Sequence, residues 1–257
     1  MNAVRAGRVC VRRLVAQGFD SGLGRRLLGS VAVERPDLLL GSVGYWLATR
    51  SRLSAIDRWP AELGRFEDVA PLVLSSNPAN RGLASMSLVE IARLWTLATN
   101  AGPALLIEIG RERGGRTLVL AAAMARGATL YSFDPQTKLS QLGDSLDSEL
   151  ASALARYDLA ARVHLSRDDS HTVEPPAGRY ALVLVDGDPS LEGTRSDFAR
   201  FCLRLQPGGH ALFHDAAAGG PRHLTLKPLM AEIEGDARFA RLPDVGTFVE
   251  FQRLPGD

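Results

Sequence analysis

The sequence contains few of the features that mark secreted, membrane or nucleic-acid-binding proteins. Its 257 residues include two cysteines, Cys10 and Cys202, which lie far apart and outside any metal-type spacing. A disulfide framework is therefore not expected, and a reducing cytoplasm fits. No apolar run reaches the roughly 18 residues of a membrane span, and no apolar secretion signal follows the basic N-terminus. The formal net charge of +1 gives no nucleic-acid signature.

Residues 1–78 are rich in arginine and show no strand alternation, so we predict a helical N-terminal extension. Arg5, Arg8 and Arg12 fall on one helical face. Such a face packs on the main domain or on a second subunit, which would make a homo-oligomer. The alternative is contact of residues 1–30 with an anionic membrane surface. The turn-rich residues 75–80 set the boundary of a second unit, residues 79–257.

Strand-like and helix-like segments alternate through residues 79–257. The capping box at Ser87 and Glu90 predicts a helix to Thr99. Apolar runs predict strands at 104–109, 128–133, 161–166, 180–185 and 210–213. Helices are expected at 115–126, 144–159, 191–205 and 226–233. Residues 239–242 and 247–251 are expected to form an antiparallel pair of strands. This alternation predicts an α/β fold, a doubly wound and mostly parallel sheet.

The most informative segment is EIGRERGGRT, residues 108–117, which ends a buried strand and opens a helix through glycines. A second acid, Asp134, ends the next strand. Strand, glycine turn, helix, strand and acid form a nucleotide-binding half, in which the second acid holds ribose hydroxyls. Three residues separate Gly110 from Gly114, which does not fit the dinucleotide fingerprint and disfavours an NAD-dependent oxidoreductase.

Polar residues end all five predicted parallel strands, where ligands gather in an open sheet. These are Glu108, Gly110, Asp134, Asp168, Asp169, Ser170, Asp186, Asp188, His214 and Asp215. Each acid alone is typical of a helix N-cap or a turn. Their joint placement on one rim favours a functional site.

Together, residues 108–117, VDGDPSLEGT at 185–194, LQPGG at 205–209 and FHD at 213–215 resemble the class I S-adenosylmethionine-dependent methyltransferases. Within that family, the sequence is similar over about residues 80–252 to the branch that includes macrolide and sugar O-methyltransferases and the cephalosporin hydroxylase-like group. The resemblance implies a seven-stranded Rossmann-like sheet. It also implies methyl transfer from S-adenosylmethionine to a hydroxyl of a small molecule or glycan.

The resemblance also assigns roles to residues. It implies cofactor contacts from Glu108, Gly110, Gly114, Asp134, Asp169, Ser170 and Asp186. Asp186 and Asp215 stand where metal-using relatives hold a cation such as Mg²⁺, which would lower the pKa of a substrate hydroxyl. The catalytic candidates are Asp186, Asp188 and His214, the last two as proton acceptors.

The sequence departs from that branch at three positions. Pro189 replaces a histidine that is common in relatives, which leaves open a catalytically inactive nucleoside-binding or scaffold protein. The pair His214-Asp215 replaces two acids, and imidazole is a poorer ligand for Mg²⁺ than carboxylate, so metal use stays open. Arg116 stands where a small hydroxyl residue is common, either as a surface helix residue or facing an acidic substrate.

Overall fold

The computed structural model describes residues 52–56, 59–69, 71–72, 83–136 and 143–256. The extension over residues 1–78, with its basic face, lies mostly outside the described residues, so it and its boundary stay predictions. Its described part includes two short 3-10 helices, Leu53–Ala55 and Phe66–Val69. None of the helices in the described ranges is both long and apolar enough to cross a bilayer.

Helices and strands alternate from residue 88 onward. The helices are α1 Leu88–Asn100, α2 Gly115–Ala123, α3 Gly143–Arg156, α4 Leu191–Phe201 and α5 His223–Glu234. The strands are β1 Leu105–Ile109, β2 Thr129–Phe133, β3 Val163–Ser166, β4 Tyr180–Val185, β5 Leu205–Phe213, β6 Phe239–Val245 and β7 Phe248–Arg253.

All seven strands form one sheet in the order β3-β2-β1-β4-β5-β7-β6. The first five are parallel, and β7 pairs antiparallel with both β5 and β6. The predicted doubly wound sheet is thus confirmed, including the antiparallel pair at its edge. The strand order reverses between β1 and β4, where a crevice forms at the carboxyl ends of the strands.

Each face of the sheet carries its own apolar core, because successive side chains of a strand point to opposite faces. On β4, Leu182 and Leu184 join the core shared with α1, α2 and α3. Val183 and Val185 join the core shared with α4 and α5. A strand buried on both faces reads as a continuous apolar run, which is why β4 was recognisable in the sequence.

The largest difference from the predicted boundaries lies between α4 and β5. Helix α4 ends at Phe201 and a 3-10 turn, Cys202–Arg204, follows, whereas we expected helix to residue 205. Strand β5 then begins at Leu205 rather than residue 210, and its register against β4 shifts between Tyr180 and Leu182. Pro207, which has no amide hydrogen, and Gly208, with φ of 78°, lie in this irregular stretch. The sequence pattern resembled a loop because the strand is interrupted there.

Candidate functional site

A cavity of about 680 Å³ opens at the carboxyl ends of the central strands. Most of the predicted site residues line it. They are Gly110, Asp134, Asp169, Ser170, Asp186, Asp188, His214 and Asp215. Ser85, Glu112, Arg116, Gln136, His171 and Pro189 also contribute to the wall. The sheet therefore gathers residues from the ends of its five parallel strands around one space of ligand size.

The turn after β1 is shaped by Gly110. Its φ is 88°, in the left-handed region that glycine adopts at little cost. A Cβ at this position would overlap the backbone carbonyl of Asp186. Any other residue would push the ends of β1 and β4 apart, so the glycine allows the two halves of the site to meet.

Asp134 fixes the loop that follows this turn. Its Oδ2 accepts the amide hydrogens of Arg111 at 2.8 Å and Glu112 at 2.7 Å. Its Oδ1 accepts the amide hydrogen of Gln136 at 2.6 Å. The carboxylate is thus oriented by three backbone donors while it still lines the cavity.

Two predicted cofactor contacts lie behind the cavity wall instead of on it. Glu108 is fully buried and accepts hydrogen bonds from Thr117 Oγ1 and Ser132 Oγ, both at 2.6 Å. Burial raises the pKa of Glu108, against the opposing effects of Arg116 and these two hydroxyls. Gly114 stands at the start of α2 with φ of 80° and faces the side chain of Leu150. The expectation that both residues contact the cofactor directly needs correction, because neither Glu108 nor Gly114 lines the cavity.

Asp169 and Ser170 lie on the wall beyond β3, as expected, and His171 lies next to them. The His171 ring is 3.5 Å from Asp169 Oδ1 and, through Nε2, 3.6 Å from Asp197 Oδ1. Asp197, on α4, is fully buried. Burial raises its pKa to about 6, although Ser170 and the positive charge of His171 act in the opposite direction. Asp197 was not predicted as a site residue, because an acid within a polar helix suggests a solvated face.

Asp186, directly after β4, is held by two buried arginines. Arg116 NH1 donates to Asp186 Oδ2, and Arg116 NH2 donates to the Gly110 carbonyl at 2.7 Å. Arg222 NH1 donates to Asp186 Oδ1 at 3.2 Å. Burial alone would raise the pKa of Asp186, but Arg116, His214 and Arg222 outweigh it and lower the pKa to about 2. Asp186 is therefore ionised at neutral pH.

One of the two interpretations offered for Arg116 is wrong. The side chain is 2% exposed, so it is not a surface helix residue; it lines the cavity and contacts Asp186, and contact with an acidic substrate stays a prediction. Arg222 was not identified from the sequence at all. It precedes α5, and its NH2 also donates to the Asp188 carbonyl at 2.7 Å and to Thr194 Oγ1 at 2.9 Å. No motif in the sequence relates an arginine at that loop to the end of β4.

His214 and Asp215 lie beside Asp186 at the end of β5. His214 Nδ1 is 3.1 Å from Asp186 Oδ2, and His214 Nε2 is 3.7 Å from Asp215 Oδ1. The imidazole is nearly buried and packs edge-on against Phe248, with 5.5 Å between ring centroids. Asp215 Oδ1 also accepts from Thr247 Oγ1 at 3.2 Å. These contacts leave one histidine between two carboxylates at the cavity wall.

Asp188 lies on the same wall two residues beyond Asp186. Its Oδ1 accepts the amide hydrogen of Ser190 at 2.8 Å, and this hydrogen bond is the main cause of a lowered pKa. Pro189, the departure from the resemblance, also lines the cavity. The position offers no group that could take a proton.

The donor set at the predicted metal position does not fit a divalent cation. Both oxygens of Asp186 already contact guanidinium groups. Within residues 52–56, 59–69, 71–72, 83–136 and 143–256, no group of three or more His, Cys, Asp or Glu side chains has an arrangement that could hold a metal ion. We therefore derive no chemical step through a metal.

Residues 107–216 match the family model described as a methyltransferase domain. The match runs from within β1 to just beyond β5 and confirms the resemblance to methyltransferases drawn from the sequence. A comparison with curated protein sequences found no match.

Solved structures with a similar fold include an O-methyltransferase from Bacillus cereus in complex with SAH. It is 18% identical, with a TM-score of 0.53 over 73% of this chain and 90% of that one. The O-methyltransferase TomG from Streptomyces achromogenes, involved in tomaymycin synthesis and in complex with SAM, is 17% identical. Its TM-score is 0.53 over 78% of this chain and 92% of that one. At this identity the likeness establishes the fold.

Proposed function

We propose that this methyltransferase domain binds S-adenosylmethionine and transfers its methyl group to a hydroxyl of a small molecule or glycan. The observation that carries the proposal is one cavity that has the Asp134 turn on one side and the Asp186–His214 pair on the other. Two proteins of the same fold, from Bacillus cereus and Streptomyces achromogenes, are O-methyltransferases bound to SAH and SAM respectively, which supports this cofactor.

The β1–β3 side would hold the cofactor. An ionised carboxylate has about four acceptor positions. Asp134 uses three of them for backbone amides, so it retains capacity for a ribose hydroxyl. The open backbone at Gly110 would approach the methionine part, and Asp169 with Ser170 would lie near the adenine. Asp186 adjoins Gly110 and would mark the end of the cofactor site nearest the methyl group.

The β4–β5 side would activate the acceptor, with His214 as general base. A group with a pKa of about 2 is a weak base near neutral pH, so Asp186 serves better as a fixed hydrogen-bond acceptor. When His214 Nδ1 donates to Asp186, Nε2 is left to take a proton. The acceptor hydroxyl would give that proton to Nε2 while its oxygen attacks the sulfonium methyl carbon. The C–S bond breaks, the cofactor leaves as a neutral thioether, and the imidazolium lies between two carboxylates.

Asp188 would bind the acceptor instead of taking its proton. Its lowered pKa keeps it ionised, and the Ser190 amide occupies one of its oxygens. The other acceptor positions remain for a second hydroxyl of the substrate. A polyhydroxylated acceptor matches this wall because each of its hydroxyls can donate to a carboxylate.

Calorimetry tests the cofactor half. We expect micromolar binding of S-adenosylhomocysteine and loss of at least about tenfold in affinity in Asp134→Ala, since one acceptor and three loop hydrogen bonds disappear. Asp168→Ala is the matched control. Asp134 follows β2, and Asp168 is an exposed acid that follows the neighbouring strand β3 but does not line the cavity. Binding of NAD in place of the nucleoside would overturn the proposal.

Transfer of a labelled methyl group tests the catalytic half. The protein is incubated with labelled cofactor and a host metabolite extract, and labelled products are separated. In His214→Ala we expect the rate to fall by about 10²- to 10⁴-fold while the affinity for S-adenosylhomocysteine stays the same. His164→Ala is the control, since this ring stacks on Tyr131 within the sheet. No transfer by the unsubstituted protein under any condition would favour the scaffold interpretation.

A further inference from the structure

The carboxylate of Asp186 occupies the position where metal-using relatives would place their first ligand, yet its surroundings are cationic. Arg116 contacts Oδ2 and Arg222 contacts Oδ1. The two arginine side chains are nearly buried, and guanidinium groups do not lose their charge in proteins. Arg116 is fixed further by the Gly110 carbonyl, and Arg222 by the Asp188 carbonyl and Thr194. Neither arginine can easily swing away from Asp186.

The contacts of Asp186 already compensate its charge. Arg116 and Arg222 bring two positive charges into direct contact with this one carboxylate. A divalent cation would therefore bring a net charge of +2 into a buried region, next to two guanidinium groups that repel it. A hard cation also prefers oxygen ligands, whereas β5 presents the imidazole of His214 toward Asp186.

We propose that the acceptor end of this site works without a divalent cation and that Arg116 and Arg222 take over the anchoring of Asp186. This inference rests on the proposed methyl transfer and concerns how its base is held. The arginines are positioning residues. They hold Asp186 Oδ2 3.1 Å from His214 Nδ1, where the carboxylate can accept the ring proton and leave Nε2 unprotonated. Neither ring nitrogen has a hydrogen-bond partner within the described residues. The assignment gives Arg222 a role that no sequence motif assigns to it.

Titration of the unsubstituted protein with Mn²⁺, followed by electron paramagnetic resonance, tests the cation directly. Mn²⁺ is a paramagnetic probe with oxygen preferences like those of Mg²⁺. We expect no saturable site whose occupancy depends on Asp186, so Asp186→Asn should leave the titration unchanged. Saturable Mn²⁺ binding that Asp186→Asn abolishes would overturn the inference. This readout requires no methyl transfer, so its outcome is independent of whether the proposed function holds.

Nitrogen NMR of His214 tests the positioning role. In the unsubstituted protein the neutral ring should carry its proton on Nδ1, and Arg222→Gln should populate the other tautomer and lower the transfer rate by about tenfold or more. Arg222→Lys should keep the tautomer because it retains a cation beside Asp186. The same Nδ1–H signature should be absent in Asp186→Asn. A ring protonated mainly on Nε2 in the unsubstituted protein, or an unchanged tautomer in folded Arg222→Gln, would contradict the proposal.

Discussion

The two sides of the cavity are held together in different ways. On the β1–β2 side, Asp134 is oriented by backbone amides in the neighbouring turn. On the β4–β5 side, Asp186 is oriented by the side chains of Arg116 and Arg222, which lie 70 and 36 positions away in the chain. Every residue except proline supplies a backbone amide, whereas a guanidinium comes only from arginine. The first side therefore depends on backbone shape and the second on the identity of particular distant residues.

The difference extends to the buried arginines. Arg111, on the first side, donates through NH1 to the carbonyls of Ser132 at 2.9 Å and Ser166 at 3.0 Å. Its remaining partner, Asp147, is 20% exposed. Arg116, on the second side, neutralises Asp186 and also lies 3.9 Å from the fully buried Glu108. Arg111 thus joins β2 and β3 to α3, while Arg116 balances charge.

Replacing each arginine with methionine should separate these two roles. Arg116→Met leaves Asp186 with Arg222 as its one remaining guanidinium contact and removes the guanidinium beside the fully buried Glu108, so we expect a loss of about 3–5 kcal/mol in the free energy of unfolding. Arg111→Met leaves carbonyl groups unpaired and a partly hydrated carboxylate, with an expected loss of about 1–3 kcal/mol. Urea denaturation at neutral pH measures both values. Equal losses, or a larger loss in Arg111→Met, would contradict the comparison.

This difference also explains what could be predicted from the sequence. Strands, helix starts and the residues that follow each strand depend on local patterns, so Asp134, Asp186 and His214 were found from their positions alone. Arg222 and Asp197 were not, because their roles arise from contacts between elements that are distant in the chain. Glu108 was placed at the correct strand end, but its burial depends on Thr117 and Ser132 closing over it. The start of β5 was not predicted because Pro207 and Gly208 form a sequence pattern that is typical of a turn.

The two sides should also respond to pH in opposite directions. Asp197, behind the first side, has a pKa raised to about 6, so folding favours its protonated form. The protonated acid stabilises the fold below pH 4, and this contribution of about 3 kcal/mol is lost as pH rises from 4 through 6. Asp186, with a pKa of about 2, contributes stability above pH 4 that is lost as pH falls through 2.

Asp197→Asn should therefore reduce the decline in stability between pH 4 and pH 6. Urea midpoints measured at half-unit steps across that range, for the variant and the unsubstituted protein, provide the test. The groups facing Asp197 are His171, Ser170, Asp169 and Asp188, together with the buried thiol of Cys202. Asp168→Asn is the control, because Asp168 is exposed, does not face Asp197 and should leave the pH slope in place. If the decline in stability between pH 4 and pH 6 persists in Asp197→Asn, a group other than Asp197 causes it.

The smallest expected effect concerns how the helices on the two sides begin. Helix α2 starts at Gly114 without a side-chain cap, so its first amides stay open toward the turn. Helix α4 starts at Ser190, whose Oγ accepts the amide hydrogen of Gly193 at 3.0 Å. Ser190→Ala should cost about 1 kcal/mol in the free energy of unfolding, while Ser190→Thr should cost less because the hydroxyl is retained. If Ser190→Ala left the urea midpoint unchanged, the capping hydrogen bond would contribute nothing, and the packing of residues such as Phe198 and Phe201 would hold α4.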